Sequence, residues 1–446
     1  MPDFQTLKQQ ATEFRKAKNY VQALPLYKQL WEEYRESCDV WEGWAYAFCL
    51  KQQKDYKKSL EICREVYTLK PDFKNIRDVY AWSIYYTEIA VQAINNETLF
   101  FKAGNGILQL STQEDKSVTK EPNHPCIYTM TVFKILEYLN DKAIYPTDKI
   151  LEWTDKLNFE FLDNNPYSFT DKEGNTRELA SKKEQYFMWR TKALLKKQSY
   201  QECIDLCENA LNIFEKFHYG NDVWFARRIS LSYKGLGQPE TALEQLKNLL
   251  KRKNEWFIQK EIAEIYLEQG DKDQALKFAL DSALNFGDAD KKMNLYLLLA
   301  DILQQQGKID EARKHIEFIC KIRQESQWRM DNDLQKQITL FSIDVEKLPD
   351  FKVILKELRR IWDNLKYNPE YQLRGFIKTI LPNGRAGFIE IERNKSYYFQ
   401  IKDFTGRRDL IKEGQKVTFF LIDAFDQHRN QPTKNAVNIK LIPAIV

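Results

Sequence analysis

Apolar residues keep helical spacing over the first 370 or so positions and then, from Tyr371 on, alternate with polar ones in short runs. Segments such as VYAWSIYYTEIAVQAI, TVFKILEYLNDKAIYPTDKILEW and FKVILKELRRIWDNLKYN predict amphipathic helices. A turn signature recurs in YKGLGQPETALEQL (233–246), YLEQGDKDQALKFA (266–279) and LQQQGKIDEARKHI (303–316). Its glycines, Gly237, Gly270 and Gly307, are 33 and 37 residues apart, and Ala242, Ala275 and Ala312 keep the same spacing. Weaker copies are KNYVQALPLY (18–27), KDYKKSLEIC (54–63) and KQSYQECIDLC (197–207). Each unit predicts two antiparallel helices. Glycine in the left-handed region stops the first, and a small residue lets the second approach closely. One pair cannot bury its apolar stripe alone, so pairs stack into a solenoid.

On these positions the chain resembles the tetratricopeptide repeat family. The small residue of the first helix falls on Ala47, Ser230, Ala263 and Ala300, and its aromatic on Phe14, Tyr233 and Tyr266. The alanine of the second helix falls on Ala23, Ala242, Ala275 and Ala312, and a closing proline on Pro71. Leu50, Leu194 and Leu303 replace the aromatic, and Ser59 and Cys203 the alanine. The expected organisation is repeats over 1–72, degenerate helical pairs with long loops over 73–183, repeats over 184–320, and capping or linker helices over 321–370. Within 73–183, the stretches 111–125 and 161–178 read as polar loops.

The runs YQLRGFIKTI, GRAGFIEIE, KSYYFQIKDF, KVTFFLIDAF and NAVNIKLI predict five strands over 371–446, the size of an OB-type barrel. The expected architecture is therefore multidomain, an all-α repeat solenoid followed by a small all-β barrel. This tail is similar to the cold-shock domain through Gly375-Phe376-Ile377-Lys378, Gly387-Phe388-Ile389, Ser396-Tyr397-Tyr398-Phe399-Gln400, Glu413-Gly414-Gln415 with Val417 and Phe419, and Ala436-Val437-Asn438-Ile439. An S1-type barrel is the competing reading; the Gly-Phe-Ile and Ala-Val-Asn-Ile pieces favour the cold-shock one. The resemblance implies a barrel that binds single-stranded RNA or DNA by stacking bases on outward aromatics while cations follow the backbone.

Alternation places Ile389, Ile391, Tyr397 and Phe399 inside, and Ala386, Phe388, Glu390, Tyr398 and Gln400 outside. Phe388 and Tyr398 are the stacking candidates, with Lys378, Arg385, Lys395, Gln400, Arg407 and Arg408 around them. Several of the family's positions depart: Thr379 and Ala386 stand where it has aromatics, Gly384 where it has lysine, Gln400 where it has histidine, and Ile401 where it has phenylalanine. A thinned stacking face predicts weak binding.

Charge sharpens this division. Residues 371–446 hold 13 Lys and Arg against 7 Asp and Glu, or +6, so a total of +4 leaves −2 for the remainder. Low Gly (15) and Pro (13) suit helices. Seven scattered cysteines read as reduced core thiols, pointing to the cytoplasm. The start, MPDFQTLKQQ, has no apolar signal core, and no run approaches a membrane span.

Four histidines stand at no ligand spacing, and Cys203–Cys207 lacks the second pair of a zinc site, so neither metal nor cofactor is expected. His315 reads as a helix-surface or packing residue. No nucleophile motif or phosphate loop is found, so the expectation is a non-catalytic protein. WEGWAYAF sets Trp41, Trp44 and Phe48 on one helix face, either for packing between repeats or as a groove that anchors a protein partner. Arg227, Lys234 and Lys260 are candidates for the same concave side. The function expected is an adaptor: the solenoid recruits a protein, and the barrel holds single-stranded nucleic acid, RNA before DNA. The alternative is a pure protein scaffold whose barrel no longer binds nucleic acid.

Overall fold

The computed structural model describes residues 3–91, 93–115, 125–367, 369–391, 395–405, 411–426 and 431–442. The chain divides into two compact units, Met1–Leu249 and Leu250–Val446. Tetratricopeptide-like helix pairs build the helical part, and a closed five-stranded barrel follows.

The first unit runs through α1 (Phe4–Lys16), α2 (Tyr20–Glu33), α3 (Val40–Gln52), α4 (Tyr56–Leu69), α5 (Lys74–Ile84), α6 (Glu97–Leu110), α7 (Ile127–Asn140) and α8 (Thr147–Thr154). After a hairpin of β1 (Tyr167–Thr170) and β2 (Thr176–Leu179) come α9 (Lys182–Lys196), α10 (Tyr200–Ile213), α11 (Asn221–Gly235) and α12 (Pro239–Arg252), whose last residues pass into the second unit. Side-chain caps set the helix starts: Asp3, Asn19, Asp55 and Ser181 each accept a backbone N–H of the first turn, and Asp39 and Glu42 form a capping box. Gly237, Gly270 and Gly307 do adopt the left-handed conformation, at φ 75°, 82° and 75°. In the weaker repeats Lys18, Lys54 and Gln198 hold it instead, at φ 59°, 63° and 63°.

The small positions of the second helices, Ala23, Ser59, Cys203, Ala242, Ala275 and Ala312, are all fully buried. The two that depart from alanine do the same thing. Ser59 Oγ donates to the Ala47 carbonyl at 2.9 Å, and Cys203 Sγ to the Thr191 carbonyl at 3.4 Å, in each case twelve residues back on the facing helix.

The stretch read as a polar loop over 161–178 contains a hairpin. Tyr167 pairs with Leu179 and Thr170 with Thr176, and the turn is closed by Asp171, which accepts from the Asn175 and Glu173 amides and the Arg177 guanidinium. Four-residue strands rich in turn formers carry too little alternation to be read from sequence. A π-helical turn at Tyr85–Ile89 follows α5 directly.

The second unit contains α13 (Trp256–Glu268), α14 (Lys272–Leu284), α15 (Met293–Gln305), α16 (Ile309–Glu325), α17 (Asn332–Leu340) and α18 (Phe351–Lys366). Its core joins Ala275, Leu299, Ile316, Phe318, Leu358 and Trp362. The barrel consists of β3 (Leu373–Ile380), β4 (Ala386–Ile391), β5 (Lys395–Gln400), β6 (Lys416–Asp426) and β7 (Gln431–Leu441), closed in the order β3-β4-β5-β7-β6. All pairs are antiparallel except β5 with β7. Ile377, Ile389, Phe399, Val417, Phe419, Ala436 and Ile439 fill its interior. The barrel docks on the end of α18, where the Tyr367 and Phe420 rings lie 5.1 Å apart and Lys366 pairs with Asp281 of α14 at 2.7 Å.

Candidate functional site

Strands β4 and β5 bring the two candidate platforms together. Their register sets Phe388 opposite Tyr398, with the inward Gly387–Phe399 and Ile389–Tyr397 pairs on either side. The rings meet edge to face at 5.8 Å and 71°. Phe388 is 36% exposed and Tyr398 half-buried, while Phe399 is sealed in the core. On β3 the residue opposite Phe388 is Thr379, and on β7 the residue beside Tyr398 is Asn435. The aromatic row is therefore two rings wide with a polar residue at each end.

Gly387 is what lets the sheet close here. A Cβ at this position would stand 2.2 Å from the Thr379 carbonyl oxygen and 2.7 Å from the Phe399 ring. Ala386 corrects the simple alternation: it is buried, and its register partner on β5 is Gln400. Sequence reasoning also passed over Phe376. It is 40% exposed and stands opposite Glu390, on the same outer face as Phe388. The inward Ile377 beside it was the available signal.

The cations divide into two groups. Lys378 pairs with Glu390, which also accepts from Ser396 Oγ at 3.3 Å; the Lys378 ammonium holds the Glu390 carboxyl below its ordinary range. Arg385 and Lys395 are exposed. Gln400 is half-buried and its N–H donates to Asp403 at 3.3 Å. Arg407 and Arg408 lie outside the described residues.

In the first unit, Trp41, Trp44 and Phe48 form a continuous aromatic ladder on α3. Trp41 meets Trp44 at 5.9 Å and Phe73 at 4.8 Å, and Phe48 meets Trp44 at 5.7 Å and Tyr20 at 5.8 Å. The Arg15 guanidinium covers Trp44 at 4.9 Å. Trp44 and Phe48 thus join neighbouring helices, whereas Trp41 keeps 52% of its surface exposed. Arg227 lies over the Trp224 ring at 5.4 Å, and Lys234 is half-buried in the last turn of α11. Lys260, on α13, is paired with Glu264. Among the described residues no helix is long and apolar enough to cross a membrane.

A family model described as a domain of unknown function (DUF7017) matches residues 223–344, from α11 to α17. No curated protein matches. Among solved structures the chain is similar to human IFIT1, solved as a dimer with m7Gppp-AAAA, at 13% identity and a TM-score of 0.35, covering 81% of this chain and 79% of that one. It is also similar to a tetratricopeptide repeat protein from Parabacteroides merdae at 11% identity and a TM-score of 0.31, covering 76% and 99%. A thermophilic repeat protein from Thermus thermophilus matches at 12% identity and a TM-score of 0.20, covering 68% and 100%. Likeness at these values carries no argument about function.

Proposed function

We propose that this chain is a non-catalytic adaptor. Its repeat helices recruit a protein partner, with exposed Trp41 as the anchor, and its barrel, read as a cold-shock-like OB barrel, holds single-stranded RNA with low affinity and little sequence preference. The observation that carries the reading is the outward Phe388–Tyr398 pair on adjacent strands. Such a pair offers π-faces to successive bases, and each stack is worth about 1–3 kcal/mol. Phe376 widens the apolar surface, and exposed Arg385 and Lys395 add sequence-independent phosphate contacts. Two modest contacts on one chain give useful affinity together.

The docking of the barrel on α18 uses Phe420 of β6, so the Phe388–Tyr398 face is not spent on it. A second reading, a protein scaffold, draws support from the Lys378–Glu390 pair, which removes one cation from the face. The two readings separate by anisotropy of a labelled poly-pyrimidine with the full chain at about 50 mM salt. Phe388→Ala with Tyr398→Ala weakens binding if the barrel holds nucleic acid. Absence of any binding by the unsubstituted chain overturns that reading.

A further inference from the structure

A second charged site lies in the first unit, among α7, α9, α10 and α11. Arg228 of α11 is only 5% exposed, yet no carboxylate faces it among the described residues. Its Nη1 donates to Met188 Sδ at 3.2 Å and Thr191 Oγ1 at 3.1 Å, and its Nε and Nη2 donate to no described residue. The titratable acids whose field acts on it are the Cys207 and Cys203 thiols and the Tyr145 phenol. Cys203 is a donor to the Thr191 carbonyl; the hydrogen bond to Cys203 together with burial pushes Cys207 up, while the hydrogen bond with Cys207, with Ser232 and Arg228 adding to it, holds Cys203 below its ordinary range, and neither residue is a carboxylate. Burial likewise pushes the Tyr145 phenol up.

Two more cations lie on the adjoining part of α9: Lys192 follows Thr191, the residue that Arg228 bonds, and feels the Arg228 charge. Lys192 and Lys196, one turn apart on α9, set their ammonium groups 4.0 Å and 4.8 Å from the centre of the Tyr145 ring. Lys192 donates to Asn140 Oδ1 at 3.3 Å, and Lys196 to no described residue. Burial, Lys196 and Arg228 all depress the Lys192 ammonium, and no carboxylate offsets them. On the same helix Arg190 has Asp155 and Glu202, and Lys183 has Glu160, while Lys182 lies over the Phe133 ring at 4.4 Å.

A buried guanidinium without a counter-charge is expensive, and two like charges beside it add to the cost. A multiply charged oxyanion removes that cost. It accepts from the guanidinium fork and from two ammonium groups at once, the arrangement in which charge-assisted hydrogen bonds are strongest. We propose that Arg228, Lys192 and Lys196, gathered round Tyr145, form a binding site for phosphate oxygens. This site is independent of the barrel. The same chemistry is offered by a free phosphate compound and by the backbone of a nucleic-acid strand.

The test uses the full chain carrying Phe388→Ala and Tyr398→Ala, so that the barrel face does not contribute. Pyrophosphate is titrated by calorimetry and thermal shift against sodium chloride of matched ionic strength, and a single-stranded oligonucleotide in parallel. Pyrophosphate is expected to raise the melting temperature beyond the salt control. Lys192→Ala with Lys196→Ala, the first half-buried and the second exposed, is expected to weaken its binding at least tenfold while leaving the ligand-free melting temperature within a few degrees. Arg228→Gln is expected to do the same if it folds; if it does not, the lysine pair decides alone. Oligonucleotide binding that falls with the lysine substitutions assigns the phosphate to a strand, and pyrophosphate binding without it assigns a free compound. A pyrophosphate response no larger than that to matched salt, or one that survives the loss of both lysines, overturns the proposal.

Discussion

The Trp362 indole N–H donates to Nε2 of His315 at 2.8 Å, and Nδ1 of the same ring, carrying the proton, donates to the Glu311 carbonyl at 2.7 Å. This bond ties α18, on whose end the barrel sits, to the last repeat helix. His315 is fully buried, and burial pushes its pKa down to about 4 from 6.5. Protons then bind the unfolded state more readily than the folded one between these values. Stability is complete above about pH 6.5 and falls as the pH drops toward 4, by up to about 3 kcal/mol for this group. Melting curves at pH 7.5 and 5 check it: His315→Gln, which keeps an acceptor for the indole, is expected to lose less stability across that interval than the unsubstituted chain.

The left-handed turn residues give a second expectation. Lys54 and Gln198 adopt the conformation that Gly237, Gly270 and Gly307 adopt elsewhere, at a steric cost of roughly 1–2 kcal/mol each, partly offset by the extra freedom of glycine in the unfolded chain. Lys54→Gly and Gln198→Gly should each raise the melting temperature by roughly 1–4 °C, and Gly270→Ala should lower it. Scanning calorimetry reads all three.

Gly387→Ala is expected to be far more damaging than its size suggests. The added methyl meets a backbone carbonyl and the ring of Phe399, neither of which has room to move inside a closed barrel. A loss of about 2–4 kcal/mol, with early proteolytic cleavage of 371–446 while the helical repeats stay intact, is the expected result.

Much of this was legible along the chain. Repeat phase showed in Gly237, Gly270 and Gly307 because a helix stop requires one backbone conformation, and glycine adopts it most cheaply. The weaker repeats were fainter because Lys18, Lys54 and Gln198 carry the same strain without the telltale residue. Period-two alternation turns Phe388 and Tyr398 outward, as the structure does, and the inward Ile377 would have turned Phe376 outward too; but a bulge between Ile377 and Thr379 shifts the register of β3, so the neighbour of Phe388 cannot be counted off in twos across it. The Arg228 cluster was silent. Its parts come from 140, 145, 188–196 and 228, and only the fold makes them neighbours.

Glu390 gives a test of the electrostatics. Its carboxylate holds Lys378, so Glu390→Gln frees one cation on the face proposed to hold nucleic acid. Affinity for single-stranded RNA at low salt should rise roughly two- to fivefold, and the slope of log K against log salt should steepen by roughly 0.7. Titrations at several salt concentrations measure both.

The proposed binding of nucleic acid rests on the Phe388–Tyr398 pair. Anisotropy of a fluorescent poly-pyrimidine, titrated with the full chain at about 50 mM salt, tests it most directly. Binding by the unsubstituted protein, weakened roughly thirtyfold or more by Phe388→Ala with Tyr398→Ala, is the result predicted from two lost stacks. No binding, or binding that the double substitution leaves unchanged, contradicts it.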